Sequence, residues 1–279
     1  MRHRDPKTAF VLGGGGVLGA TQVGMLRALC DTGIRPDLVL GTSIGSINGA
    51  FLAADPTAAT VDRLAEIWRT IRDEGDFQEN PLKQAARAAK YRTHFMSNRP
   101  LRKLIEEHLG VGLIEDLAVP FQCVAAHIES SKARWFTSGP IAPALLASCA
   151  VPGMFAPVEI DGQHFLDGGL VHSIPVGRAL ALGASEIYVL QVGRIEQSLQ
   201  VPTKPWEVAA VAFEIARRHR YHEEIDAVPD DVVLHVLPSG SPSTPAISLT
   251  QGSSARMEAR ADQAYAASTA YLESRLTAG

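Results

Sequence analysis

The chain has 279 residues, of which 46% are hydrophobic and 20% are charged, and its formal net charge at pH 7 is −4. This length is enough for one large α/β domain or two small ones, and so weak a negative charge does not favour a nucleic-acid-binding protein. The three cysteines lie far apart in apolar segments without a Cys-x-x-Cys pair, which indicates buried free thiols in a reducing compartment and no zinc site.

Strand-like and helix-like segments alternate along the chain, which is typical of an α/β protein with a mostly parallel sheet covered by helices. In chain order we predict a strand at 8–13, a helix at 17–33, a strand at 37–41, a helix at 43–54 and a helix that Asp55 caps and that runs to about residue 71. After these we predict a helix at 100–109, paired strands at 121–128 and 133–138, a helix at 143–150 and a hairpin at 156–169 that turns at Asp161-Gly162. The last predicted elements are a helix at 174–184, a strand at 186–193, a helix at 205–221, a strand at 231–238 and a helix at 253–276. Since no repeat or interdomain linker interrupts this order, we predict that residues 1–279 form a single domain.

Membrane-spanning and secretory segments are not expected. The first apolar run, at 8–13, is much shorter than the core of a signal peptide. The chain also contains no apolar stretch near the roughly 20 residues that cross a bilayer. We therefore expect a soluble cytoplasmic protein, for which peripheral contact with a membrane stays an option.

The stretch Gly41-Thr42-Ser43-Ile44-Gly45 lies between a predicted strand and a predicted helix. A Gly-x-Ser-x-Gly turn in this context is the pattern of a nucleophile elbow, in which a serine is held in strained geometry at the start of a helix. Glycine on either side lets the neighbouring backbone approach without a clash with Cβ. The alternative is an ordinary Gly/Ser turn, since the motif alone is common.

A second glycine-rich stretch, residues 13–20, follows the first strand and opens the first helix. Consecutive glycines leave backbone N–H groups free to converge on a phosphate or an oxyanion. The stretch also matches the dinucleotide-binding fingerprint Gly-x-Gly-x-x-Gly at Gly14, Gly16 and Gly19. That interpretation requires an acidic residue at the end of the second strand, whereas Asp37 lies at its beginning, so a nucleotide site is disfavoured. A P-loop is excluded because no Gly-Lys-Ser/Thr follows.

The residue that would accept a proton from Ser43 is less obvious from the pattern. Asp167 follows a short strand and precedes the paired glycines Gly168 and Gly169, and its alternative is a second hairpin turn. His235 lies in an apolar strand, and the charged helical stretch around residues 219–222 is predicted to be solvated. His172, which is close to Asp167 in sequence, remains open as a base.

Taken together, "FVLGGGGVLGA", "GTSIG" and "ASCAVPGMFAPVEIDGQHFLDGGL" resemble the patatin-like phospholipase family over about residues 8–193. The resemblance implies a three-layer α/β/α sandwich that hydrolyses lipid acyl esters with a Ser–Asp dyad and without a histidine. It assigns Ser43 as the nucleophile, Asp167 as the general base and the backbone N–H groups of Gly14, Gly15, Gly16 and Ile44 as the oxyanion hole. The remaining motif glycines are Gly19, Gly41, Gly45, Gly168 and Gly169.

One position departs from the family pattern. Many bacterial members have Arg or Lys in the glycine loop where this chain has Leu18. Loss of that cation favours neutral lipids, short esters or lysolipids over phospholipids with charged headgroups. An acyltransferase or thioesterase using the same dyad, a non-catalytic lipid-binding protein and a nucleotide-binding oxidoreductase are the alternatives. We expect no metal and no cofactor.

A basic stretch interrupts the α/β pattern between residues 73 and 105, and we predict that it caps the active site. Residues 80–105 contain seven basic residues, Lys83, Arg87, Lys90, Arg92, Arg99, Arg102 and Lys103. Together with neighbouring aromatic side chains, these charges suggest contact with an anionic membrane through residues 83–103. The alternative is a solvated basic helix, and we expect no nucleic-acid partner.

Overall fold

The computed structural model describes residues 7–16, 18–73, 89–91, 93–192, 198–240 and 254–276. Within these residues the strands are β1 (Thr8–Leu12), β2 (Leu38–Thr42), β3 (Phe121–His127), β4 (Lys132–Phe136), β5 (Val158–Ile160), β6 (Gln163–Asp167), β7 (Glu186–Leu190) and β8 (Val233–Val236). The helices are α1 (Gly19–Asp31), α2 (Ile44–Ala54), α3 (Ala58–Asp73), α4 (Arg99–His108), α5 (Ile141–Ser148), α6 (Val176–Ala181), α7 (Pro205–Asp226) and α8 (Ser254–Leu276), with a 3-10 turn at Gly168–Leu170. These elements follow the predicted order, and most ends differ from the prediction by a few residues.

The strands form one sheet whose order is β5-β6-β3-β2-β1-β7-β8, with β4 paired to β3 off this path. The five strands β3, β2, β1, β7 and β8 run parallel to one another. β4 and β6 each run antiparallel to β3, and β5 runs antiparallel to β6. Because β1 and β2 are parallel neighbours, the glycine loop after β1 and Ser43 after β2 leave the sheet at the same edge.

Side chains of β1 alternate between two hydrophobic cores, one on each face of the sheet. Phe10 and Leu12 lie in the larger core, which α1–α5 and α8 cover. Ala9 and Val11 lie in the smaller core, which α6 and α7 cover. Helices therefore cover both faces of a mostly parallel sheet, which confirms the expected three-layer α/β/α class.

The hairpin between β5 and β6 has the predicted turn. Asp161 and Gly162 have φ angles of 51° and 73°, the positive values that a two-residue type I′ turn requires. Ile160 and Gln163, the residues on either side of the turn, already pair with each other in the ladder. The hairpin sets the register of β6 and hence the position of Asp167 at its end.

The predicted start of α3 was wrong. The helix begins at Ala58, and Asp55 instead follows the last residue of α2 with its N–H bonded to the carbonyl of Phe51. Its carboxylate accepts hydrogen bonds from the hydroxyls of Thr57 and Thr60 at 3.0 and 2.9 Å. Asp55 thus lies two residues before the N-cap position of α3. Its carboxylate bonds the hydroxyl of Thr57, just before the helix, and the hydroxyl of Thr60, in the first turn.

The predicted cap at 73–105 lies partly outside the described residues, which omit 74–88 and 92. In the described part, the N–H groups of Phe95 and Met96 donate to the carbonyls of Gly153 and Met154 at 3.1 and 2.9 Å. This part of the segment is therefore attached to the loop that precedes β5. Among the helices of the described ranges, none combines the length and the apolar character needed to cross a bilayer.

Candidate active site

Ser43 lies in the tight connection between β2 and α2. Its φ and ψ angles are 53° and −129°, a strained conformation for a residue with a side chain, and the side chain is almost fully buried. A Cβ atom on Gly41 would lie 2.4 Å from Cα of Ser46, and one on Gly45 would lie 2.3 Å from the carbonyl oxygen of Leu12. Both positions therefore need glycine, and the geometry is that of a nucleophile elbow.

Hydrogen bonds fix Ser43 on three sides. Its hydroxyl donates to Oδ2 of Asp167 at 2.6 Å, and its N–H donates to the hydroxyl of Ser148 at 2.9 Å. Its carbonyl oxygen accepts from both the N–H and the hydroxyl of Ser46, at 2.8 and 2.6 Å. These bonds satisfy the polar groups of a buried residue and stabilise its strained backbone.

Asp167 is the last residue of β6 and caps the 3-10 turn that follows. Its Oδ1 accepts the N–H of Gly169 at 2.7 Å, so the two carboxylate oxygens have different partners. A Cβ atom on Gly168 would lie 2.2 Å from the carbonyl oxygen of Val124, so a residue with a side chain does not fit there. The paired glycines thus let the chain turn against β3 and keep the carboxylate aimed at Ser43.

Burial changes the acid–base behaviour of Asp167. Removal from water raises its pKa from 3.8 to about 6, while the hydrogen bonds from Ser43 and Gly169 and the positive charge of Arg217 act in the opposite direction. Cys149, a close neighbour, stays a neutral thiol because burial raises its pKa well above the ordinary value. Asp167 is therefore ionised at neutral pH but is a far better proton acceptor than an exposed aspartate.

The glycine loop, residues 13–16, packs tightly beside Ser43. A Cβ atom on Gly14 would lie 3.2 Å from Cβ of Ser43, and one on Gly15 would lie 2.0 Å from Cγ2 of Val192. The N–H of Gly14 donates to the carbonyl of Ser173 at 3.0 Å. In the part of the chain that the structure describes, no acceptor is bonded to the N–H of Gly15.

Gly19 and Leu18 follow this loop at the start of α1. Leu18 is 1% exposed and belongs to the apolar interior. A Cβ atom on Gly19 would lie 2.5 Å from the ring of Trp68. Gly19 thus serves the packing of α1, and the Leu18 side chain brings no polar group to the loop.

The histidines left open by the sequence have other partners. His172 is bonded through Nδ1 to Glu224 at 2.8 Å, and His235 stacks on Tyr188 and lies 3.2 Å from the hydroxyl of Tyr271. Among the described histidines, none is hydrogen-bonded to the hydroxyl of Ser43. The described residues also contain no group of three or more His, Cys, Asp or Glu side chains arranged to hold a metal ion.

Sequence reasoning missed three residues that contact or influence the site: Ser148, Ser173 and Arg217. Ser148 is the one hydroxyl in the apolar sequence "PALLAS", and a buried polar residue in such a helix usually has a specific partner. Arg217 lies in the charged stretch "EIARRHRYHEE", which the sequence presents as a solvated surface. In the structure its side chain is buried.

Comparison with known proteins supports the family resemblance seen in the sequence motifs. A family model described as patatin-like phospholipase matches residues 10–180. The chain is 35% identical over 199 residues to a patatin-like phospholipase domain-containing protein, ZK370.4, of Caenorhabditis elegans, which covers 68% of this chain and 14% of that protein. It is 32% identical over 196 residues to the lysophospholipase NTE1 of Phaeosphaeria nodorum, which covers 67% of this chain and 12% of that protein.

A third relative is the neuropathy target esterase sws of Drosophila melanogaster, 33% identical over 186 residues, which make up 66% of this chain and 13% of that protein. The matched region is thus a small part of each of these longer relatives. Among solved structures, VipD from Legionella pneumophila superposes with a TM-score of 0.51 at 13% identity, covering 97% of this chain and 67% of that one. At that identity the likeness concerns the fold alone.

Proposed function

The chain belongs to the patatin-like phospholipase family, and from this membership we propose that it is a serine hydrolase of lipid acyl esters in which Ser43 is the nucleophile and Asp167 the general base. The observation that carries the proposal is the buried 2.6 Å hydrogen bond from the hydroxyl of Ser43 to the carboxylate of Asp167. A nucleophile bonded to a base of suitable pKa is the arrangement that acyl transfer requires. The names of the relatives, which include lysophospholipase and esterase, agree with this chemistry.

In the proposed reaction, Asp167 takes the proton of Ser43 while the hydroxyl oxygen attacks the ester carbonyl carbon. The negative charge moves from the carboxylate to the carbonyl oxygen of the tetrahedral intermediate. Asp167 then gives the proton to the leaving alcohol as the acyl–serine ester forms. A water molecule, deprotonated by the same carboxylate, attacks this ester and releases the fatty acid and free Ser43.

We assign the oxyanion hole to backbone N–H groups of the glycine loop and of the first turn of α2. The N–H of Gly14 is bonded to Ser173, which leaves Gly15 and Gly16 as the donors that the loop would supply. Ile44 begins α2, and the first N–H groups of a helix have no partner within it. Donors fixed before the reaction stabilise a developing oxyanion without the cost of reorganising water.

We propose single-chain acyl esters, such as lysophospholipids or simple fatty acyl esters, as the substrate class. Leu18 is buried and apolar, so the glycine loop itself carries no cation for a phosphate headgroup, which favours simple fatty acyl esters within this class. Leu170, three residues after Asp167, is 39% exposed and supplies apolar surface that suits an acyl chain. The lysophospholipase and esterase relatives have names consistent with this class.

Contact with an anionic membrane through residues 83–103 remains a separate proposal. Tyr91 and Phe95 are more than half exposed, which supplies apolar surface. Two of the basic residues have acidic partners one turn further along α4: Arg102 pairs with Glu106 at 3.3 Å and Lys103 with Glu107 at 4.0 Å. These ion pairs weaken the attraction of this surface for anionic lipid. Sedimentation with phosphatidylglycerol vesicles at low and high salt tests it, using a Lys90→Glu/Arg99→Glu variant. Unchanged sedimentation of this variant would rule the surface out.

The hydrolase proposal is tested with p-nitrophenyl esters of increasing acyl length. Wild type, Ser43→Ala and Asp167→Ala are assayed together, after circular dichroism has confirmed that all three are folded. We expect activity in the wild type and losses of several orders of magnitude in both variants. A folded wild type that is inert on every ester, or a Ser43→Ala variant that keeps its rate, contradicts the proposal.

A further inference from the structure

Three charged side chains of α7 lie in the protein interior. Glu214, Arg217 and Arg218 have 4%, 6% and 8% of their surface exposed. Nε and Nη2 of Arg217 each donate to the Glu214 carboxylate at 2.9 Å, and Nε of Arg218 reaches the same carboxylate at 3.4 Å. Burying ionic groups costs free energy of desolvation, which good geometry and additional hydrogen bonds offset. The Glu214 carboxylate thus bonds both guanidinium groups.

Arg217 reaches the glycine loop through one intermediate residue. Its remaining terminal nitrogen, Nη1, donates to the hydroxyl of Ser173 at 3.3 Å. The carbonyl of Ser173 accepts the N–H of Gly14 at 3.0 Å. Gly14 in turn packs against Ser43, since a Cβ atom added to Gly14 would lie 3.2 Å from Cβ of Ser43. A displacement of Arg217 would therefore be transmitted to the backbone beside the nucleophile.

The charge of Arg217 also acts on Asp167. It opposes the effect of burial and lowers the pKa of that carboxyl group. The other described groups that act on or bond to Asp167 carry no charge at neutral pH: Ser43 and Gly169 are neutral donors, and Cys149 is a neutral thiol. His172, which is near in sequence, is paired with Glu224. Among the described residues, Arg217 is thus the cation whose charge lowers the pKa of Asp167.

We propose that Arg217 is a positioning residue of the active site, which holds the glycine loop through Ser173 and balances the negative charge of the Ser43–Asp167 pair from the interior. The inference rests on the proposed function. As the proton moves to Asp167, the negative charge leaves the carboxylate and develops on the ester oxygen near the glycine loop. A buried cation that bonds Ser173 beside the glycine loop and acts electrostatically on Asp167 stabilises the charge throughout this transfer. It supplies from α7 the positive charge that the loop, with Leu18, lacks.

The test compares Arg217→Gln, Arg217→Lys and Glu214→Gln with the wild type, and uses Arg220→Gln, an exposed arginine on the same helix, as the matched control. kcat/KM for a p-nitrophenyl ester is measured between pH 4.5 and 9. Arg217→Gln is expected to move the acidic limb of the profile to higher pH, with a loss of about two- to fivefold at pH 6 that becomes smaller at pH 8. Arg217→Lys keeps the limb near its wild-type position. Glu214→Gln moves it to lower pH, because a negative charge has been removed.

A profile for Arg217→Gln that is lowered equally at every pH, with its limb unmoved, overturns the charge-balancing role and leaves Arg217 only the structural role of holding the loop. If Arg217→Gln does not fold, the opposite shift expected for Glu214→Gln decides the same question. Carboxyl carbon NMR titration of Asp167, assigned with Asp167→Asn, measures its pKa without a substrate. The ester assay and the NMR titration thus separate the two hypotheses. An inert wild type in the assay ends the proposed function, whereas an unchanged Asp167 pKa in Arg217→Gln ends the charge-balancing inference about Arg217.

Discussion

Thr42 and Asp167 occupy consecutive register positions along the same edge of β3. Thr42, the last residue of β2, pairs with Val124, and Asp167, the last residue of β6, pairs with Ala125. β4 occupies the other edge of β3 over these positions. Because β2 is parallel and β6 antiparallel to β3, the two strands meet end to end, with their carboxyl ends facing each other. Ser43, one residue beyond Thr42, is thereby brought to 2.6 Å from Asp167.

The pH dependence of hydrolysis is expected to follow the ionisation of Asp167. The carboxylate must be unprotonated to accept the proton of Ser43, and burial raises its pKa to about 6. kcat/KM should therefore rise with pH, reach half of its maximum near pH 6 and level off above about pH 7. Initial rates with a neutral ester across pH 4.5–8 check this, after circular dichroism has confirmed that the protein stays folded. A plateau already reached at pH 4.5 would show that Asp167 does not limit the rate.

Asp167→Asn should stabilise the fold at neutral pH while abolishing activity. A carboxyl group whose pKa is raised on folding contributes stability below about pH 4, and this contribution is lost as the pH rises through about 6. Asparagine has no charge to bury, so the gain above pH 6 is expected to approach about 3 kcal/mol, the equivalent of a pKa change from 3.8 to about 6. Urea unfolding of both proteins at pH 4.5 and pH 8 measures it. Equal differences at the two pH values would contradict the expectation.

Ser148→Ala should weaken both the fold and the elbow. Its hydroxyl accepts the buried N–H of Ser43, and alanine leaves that N–H without an acceptor. The expected cost in unfolding free energy is about 1–3 kcal/mol, with a fall in kcat because Ser43 loses one of its anchors. Chemical denaturation and ester assays check both effects, and Ser138→Ala, at an exposed site, is the control. A Ser148→Ala variant indistinguishable from that control would show that this bond is dispensable.

Gly168→Ala should disrupt the position of Asp167. The added methyl group would lie 2.2 Å from the carbonyl oxygen of Val124, so β6 and the 3-10 turn must move away from β3. We expect a large loss of activity and a lower melting temperature. Gly112→Ala is the matched control, because a Cβ atom at that exposed glycine has no neighbour within 4 Å. Wild-type behaviour of both variants would contradict the close approach of Gly168 to β3.

Much of this architecture was predictable because its signals are local. Alternating apolar segments gave the order of strands and helices, and Asp161-Gly162 gave the hairpin turn with its two positive φ angles. The register on β3 is a relation between segments about 120 residues apart, and no local pattern encodes it. The burial of Arg217 was also hidden, because the charged sequence of α7 does not reveal which face of the helix packs on the sheet. The role of Ser43 and Asp167 as a catalytic pair stays a prediction until the variants are assayed.

α7 lies beyond the last residue of the family match, which ends at position 180. Yet this helix bonds residues near the candidate active site at separate points, through Arg217 to Ser173 and through Glu224 to His172 and Gly177. A shortened protein designed around the three motifs would contain the complete dyad and the glycine loop, but it would expose the smaller core and lose the buried guanidinium group. A truncated or chimeric version of this protein should therefore retain the chain at least to residue 226, the end of α7.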